Sequence, residues 1–113
     1  MSKRTPLLLL EDILESAERI LEYTKDLSFV DFCRDNRTID AVIRNFEIIG
    51  EATHLIPDDI KEDNPGVDWH HIRGFRNRIV HDYFGVDLNI LWNIIQGQLP
   101  DLITQVSIVL KKL

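Results

Sequence analysis

The residues of this sequence whose types and spacing could do chemistry are gathered in Arg73-Gly74-Phe75-Arg76-Asn77-Arg78-Ile79-Val80-His81-Asp82-Tyr83. An arginine such as Arg76 stays charged at any working pH, and its planar guanidinium can hold a phosphate by two parallel hydrogen bonds. A histidine such as His81 can take a proton from a hydroxyl and return one to a leaving group. Tyr83 adds a phenol two residues further on. Arginine and histidine together suit metal-free RNA cleavage, in which a ribose 2′-hydroxyl attacks the adjacent phosphate. The histidine would be the base and the arginine would stabilise the charge that builds at phosphorus.

Spacing tests that idea. If residues 69 to 83 formed one regular helix, Arg76 and Tyr83 would share a face while Arg76 and His81 would lie about 140° apart. Three routes restore convergence: the helix loosens near His81, as Gly85 permits; the long arginine side chain reaches round; or a symmetric dimer completes the site with a second copy. The same residues also fit a purely structural role, with Arg76 paired to Glu47 or Glu51 and His81 capping a helix end. A metal centre is the third class to weigh. Glu51-Ala52-Thr53-His54 is half of a di-iron carboxylate motif, but the sequence has no second Glu-x-x-His to complete it. His70 and His81 would share a face about 16 Å apart along a helix, too far for one ion. Adjacent His70 and His71 point to different sides and read as polar residues of a first helical turn. No metal or cofactor is called for.

The elements that must position these residues are helical. Thr5-Pro6 can start a helix, and Leu7, Leu10, Ile13, Leu14, Ala17, Ile20, Leu21 and Thr24 form one apolar stripe as far as about Lys25. Ser28 is placed to cap a short turn, Phe29 to Cys33, whose aromatics could plug a bundle end. From about Thr38 the stripe resumes at Ile39, Val42, Ile43, Phe46, Ile49, Thr53 and Ile56, closed by Pro57. Gly50 inside it costs up to about 1 kcal/mol relative to alanine, which close approach of another helix would explain. Asp68 is a natural cap for a third helix from Trp69, with Ile72, Phe75, Ile79 and Val80 inward and the Gly85 region ending it. Asp87 caps the last segment, whose stripe from Leu88 to Leu113 continues in phase across Pro100, predicting a bent or broken helix. No strand signal or repeat is present. The expected fold class is all-α, an up-and-down bundle of four to five helices.

Composition narrows the class further. The chain has 113 residues, 44% hydrophobic and 28% charged, the balance of a folded domain, so residues 1–113 read as a single domain. The formal charge of -6 means that any nucleic-acid contact must be a local basic patch against an acidic background. Cys33 is the one cysteine, so neither an intrachain disulfide nor a cysteine-based zinc site can form, and a small hydrophobic role is its simplest reading. The run Leu7 to Leu10 after Lys3 and Arg4 is cut short by Glu11 and Asp12, and no apolar stretch reaches the length of a membrane span. The expectation is a soluble cytoplasmic protein with no membrane contact. Trp69, Trp92, Phe75 and Phe84 could stack on bases, but among leucines and isoleucines at helical spacing they read as core or dimer contacts. Arg73 and Arg78, flanking Arg76 on other faces, could widen a basic patch or form surface ion pairs.

The run from Trp69 to Asp87 resembles the signature of the HepT-like family of the HEPN superfamily, and Ile49-Gly50-Glu51-Ala52 is similar to a second family block. Length and helical order match over almost the whole chain. Arg76, the polar residue Asn77, His81 and Tyr83 fill the family pattern without departure. The resemblance implies a homodimeric helical bundle acting as a metal-independent endoribonuclease toxin, with Arg76 and His81 catalytic at the dimer interface and Asn77, Glu51 and Arg73 supporting. It also implies a partner, a minimal nucleotidyltransferase antitoxin that transfers AMP from ATP to Tyr83 and so silences cleavage of RNA. A bulky anionic adduct beside His81 would block and repel the RNA backbone. The competing reading is a non-catalytic helical subunit that docks a nucleotidyltransferase and positions its substrate, which the acidic net charge favours.

Overall fold

A computed structural model of the chain describes residues 4–81 and 85–113. Its elements in order are α1 (Pro6–Thr24), α2 (Phe29–Cys33), α3 (Asn36–Leu55), α4 (Asp58–Asp63), α5 (Trp69–Arg73), α6 (Phe75–Ile79), β1 (Val80–His81), β2 (Gly85–Val86), α7 (Leu88–Asn93), a π-helical turn (Ile94–Gln98) and α8 (Leu99–Lys111). The all-α expectation holds. Helix α1 packs along α3 and against α8, while α3 also contacts α2, α5 and α6.

The expected starts are made by the expected caps. Thr5, Ser28, Asp68 and Asp87 each accept a backbone N–H three residues on. Asp35 caps α3 two residues before the stripe signals it, accepting from the Thr38 amide at 3.0 Å and its hydroxyl at 2.7 Å. Those two bonds, the hydroxyl's first, hold the Asp35 carboxyl below its ordinary value.

The apolar stripes meet in one core. Leu10, Ile13, Ala17 and Ile20 of α1 face Val42, Phe46 and Ile49 of α3, joined by Phe75, Ile79, Leu91, Ile95, Leu99 and Val106, all buried. Phe46 and Phe75 meet edge to face with ring centroids 5.8 Å apart, which ties α6 to the middle of α3. Phe32 of the short α2 is fully buried, and it and Phe29 stack on Trp92, so the aromatics do plug one end. Cys33 is half-buried and free.

Two regions depart from expectation. The third helix is not continuous to Gly85: it is interrupted at Gly74 and ends at Ile79, after which Val80 is extended at φ -105, ψ 122. Val80 pairs with Val86 and His81 with Gly85 in a two-residue antiparallel ribbon, and the Asp87 N–H donates to the Ile79 carbonyl at 2.8 Å. Val80 is therefore the first residue of a strand rather than an inward residue of a helix. At Pro100 the helix is accommodated by widening rather than breaking. The Leu99 N–H reaches back five residues to the Ile94 carbonyl, and helical backbone runs from Leu88 through to Lys111. A proline ring crowds the turn before it and supplies no N–H, and the wider π-helical turn makes room there.

Candidate functional site

The site is built from the middle of α3 and the outward face of α5 and α6. Trp69, Ile72, Phe75 and Ile79 are buried at helical spacing, which leaves Arg73 and Asn77 exposed and Arg76 half-buried. On α3, Glu47, Gly50, Glu51 and His54 recur at i, i+3, i+4 and i+7 and so share one stripe. The two faces enclose an open groove lined by Glu47, Gly50, Glu51, His54, Arg73, Arg76 and Asn77.

Gly50 sets the depth of this groove. A Cβ on Gly50 would stand 3.3 Å from the carbonyl oxygen of Arg73, tighter than side chains ordinarily come, so the missing side chain lets α5 lie against α3. The close approach expected from a mid-helix glycine is what the structure contains.

Of the two carboxylates that could pair with Arg76, Glu47 does so. Arg76 Nε stands 3.7 Å from Glu47 Oε1, with both side chains about 40% exposed (42% and 40%). That distance makes an ion pair but no hydrogen bond. Glu51 lies one turn further along the same groove wall. Arg73, Arg76, Asn77 and Glu51 are thus brought together, and Glu47 and His54 join them. Glu47 enters as the ion-pair partner that the sequence offered for Arg76, and His54 as part of the groove wall rather than of a metal motif.

Arg78 does not widen this groove. Its Nη1 stands 2.8 Å from His71 Nε2, and the His71 ring also meets the Gln98 side-chain amide, so His71 links Arg78 on α6 to the π-helical turn. His71 also meets the edge of Phe75, with centroids 5.2 Å apart. Trp69 and Phe75 are core residues rather than stacking platforms, and the Trp69 indole donates to the Asn64 carbonyl at 3.2 Å. Trp92 is occupied by Phe29 and Phe32.

For His81 the backbone is placed, in the ribbon immediately after the helix that carries Arg76. Tyr83 and Phe84 lie outside the described residues. Because the helix ends at Ile79, the 140° offset that an ideal helix would impose between positions 76 and 81 does not apply. The helix thus loosens before His81. Among the described residues no three histidine, cysteine, aspartate or glutamate side chains are grouped to hold a metal ion, and no helix is long and apolar enough to cross a membrane.

Chemically the groove offers two guanidinium groups facing two carboxylates and an imidazole, open to solvent along its length. A phosphate diester entering it would exchange the weak Arg76 to Glu47 contact for a stronger charge-assisted one.

Comparison with known proteins bears on what enters it. The family model described as ribonuclease HepT-like matches residues 13–109. A candidate RNase of Methanocaldococcus jannaschii is 43% identical over 109 residues, covering 96% of this chain and 100% of that relative. A Thermococcus cleftensis protein named "Probable ribonuclease HepT" is 44% identical over 93 residues, 82% of this chain and 84% of its own. A candidate RNase of Caldanaerobacter subterraneus subsp. tengcongensis is 39% identical over 109 residues, 96% of this chain and 97% of its own. No solved structure matches the chain.

Proposed function

Since this chain belongs to the ribonuclease HepT-like family, we propose that it is a metal-independent endoribonuclease, the toxin of a toxin-antitoxin pair, with Arg76 and His81 as its catalytic residues. His81 takes the proton of a ribose 2′-hydroxyl as that oxygen attacks the adjacent phosphorus. The bond from phosphorus to the 5′ oxygen breaks, leaving a 2′,3′-cyclic phosphate, and the departing oxygen receives a proton from an imidazolium. Arg76 binds the phosphate oxygens and offsets the charge that builds there. Arg73, Asn77 and Glu51 line the same groove and orient the strand.

The observation that carries this reading is the groove itself. It holds Arg76 with Arg73 and Asn77 on an open face, one element before His81, in a chain whose relatives are named as RNases. Homodimerisation belongs to the same proposal. Exposed Leu55 and half-buried Ile48 border a second depression that shares Glu47 and Glu51 with the groove, and a second copy seated there would abut the reacting phosphate. Control is assigned to Tyr83, as acceptor of AMP from ATP delivered by a minimal nucleotidyltransferase.

The test is cleavage of RNA by the purified protein in excess chelator. Arg76→Ala should lower the rate by roughly 10²- to 10³-fold, and His81→Ala by roughly 10²- to 10⁴-fold. Activity surviving both substitutions would overturn the assignment and favour the docking-subunit reading. After incubation with the nucleotidyltransferase and ATP, intact mass should rise by one AMP, and Tyr83→Phe should abolish the increment.

A further inference from the structure

We infer that the open basin next to the groove, walled by Lys61 of α4 and by His70 and Arg73 of α5, is a second phosphate subsite that holds the backbone of the RNA beyond the reacting phosphate. The inference rests on the ribonuclease reading above and extends it to substrate binding. Arg73 lines both the groove and this basin, so the two are continuous through one guanidinium. His70 and Arg73 lie three residues apart on one face of α5, and Asn77 follows on α6 in the groove that Arg73 also lines.

The charges of the basin fit an anion. Among the described residues neither Lys61 nor Arg73 forms an ion pair. The one acid in the lining, Asp68, is occupied as the cap of α5, accepting the His71 N–H at 3.0 Å. The exposed acids of α4, Asp58, Asp59, Glu62 and Asp63, do not line it. The lining thus carries two fixed cations against one carboxylate, a local excess of positive charge on a chain of net charge -6.

Val67 and Trp69, which line the basin, are held in place through Asn64 behind them. The Asn64 carbonyl accepts from Val67 N–H and from the Trp69 indole, each at 3.2 Å, while its side chain donates to the Ile60 carbonyl at 2.8 Å and accepts from Lys112 at 3.2 Å. A Cβ on Gly66 would meet nothing within 4 Å, so the loop beside the basin is open to an incoming chain. A fixed, open surface of cations continuous with a catalytic groove recognises a charged backbone and reads no base, as sequence-tolerant single-strand sites do.

The experiment measures binding apart from cleavage. A 2′-O-methylated oligoribonucleotide, which lacks the attacking hydroxyl, is titrated with the wild-type protein and with Lys61→Ala, His70→Ala, Lys61→Glu and Arg19→Ala at several salt concentrations. Lys61→Ala and His70→Ala should raise Kd, Lys61→Glu should raise it further, and the salt slope of log K should fall by about 0.7 for the lost lysine contact. Arg19→Ala, remote on α1 and paired with Glu15, should leave both unchanged. An unaltered Kd and slope in the Lys61 and His70 variants, an equal loss in Arg19→Ala, or no binding by the wild type would each overturn the subsite. Failure of the wild type to cleave unmodified RNA would sink the ribonuclease reading instead, with the binding titration still deciding whether the basin holds phosphate.

Discussion

The carbonyl oxygen of Arg73 lies 3.3 Å from where a Cβ of Gly50 would stand, so the separation of the two groove walls is fixed by an absent side chain. Gly50→Ala gains up to about 1 kcal/mol of helix propensity and loses a similar amount in pushing α5 outward. Its net stability change should stay within about 1 kcal/mol. Gly50→Val adds bulk without that gain and should destabilise by about 1–3 kcal/mol, read as a shift in the denaturation midpoint. In both variants RNA cleavage should fall more than stability does, because Arg73 and Arg76 move with the wall.

Glu47 holds Arg76 by a half-exposed contact of 3.7 Å. Such pairs contribute about 0–1 kcal/mol, so Glu47→Gln should leave the melting temperature nearly unchanged. It removes a negative charge from the path of a phosphate, and KM for RNA should drop, with the drop shrinking as salt is added. A rise in KM with a falling kcat would mean that Glu47 orients the guanidinium.

Phe75 couples the core to the site, being buried beneath Arg76 and edge to face with Phe46. Phe75→Ala should cost about 3–5 kcal/mol in chemical denaturation, whereas Phe75→Leu, which keeps most of the volume, should cost far less and retain cleavage.

Asp35 gives a pH dependence of known sign. Its carboxyl is held below its ordinary value of 3.8 by the Thr38 hydroxyl and amide, so the stability that its charged form adds is fully present above that value and is lost as pH falls through the lowered one. Asp35→Ala should therefore lower the melting temperature near neutrality, and the gap from wild type should narrow as the solution is acidified below 3.8. Asp35→Asn, which caps without charge, should lie between the two and vary less with pH.

Much of this architecture was legible because its causes are local. The stripes of α1 and α3, the caps Ser28, Asp68 and Asp87, and the tight approach at Gly50 each follow from residue type and spacing. That Arg73 joins Arg76, Asn77 and Glu51 in one groove was not legible, since the sequence alone sets Arg73 on another face from Arg76. The end of the helix at Ile79 was not. It depends on Val80 pairing with Val86 and on Asp87 donating to the Ile79 carbonyl, contacts that no helical periodicity announces. Gly85, with φ 77, was read as the terminator of the helix, yet it sits in the opposing strand. The partner of Arg78 has no local signature either, since His71 is seven residues back and Gln98, on the same ring, comes from another helix. Lys61 carries no pattern of its own, and only the folded chain brings it to the same basin as His70.

The π-helical turn from Ile94 to Gln98 has a bearing on chain length. Such a turn holds one residue more than an α-helical turn, so it is an insertion already absorbed by the helix. Removing Gly97, whose Cβ position faces open space, would let the turn relax to α-helical winding while Leu99 and the residues after it keep their face toward α1. The same deletion anywhere in α8 would rotate all that follows by about 100°. Chains of this architecture can therefore gain or lose one residue here without repacking the core, and a single-residue gap between related sequences is expected to fall at this turn.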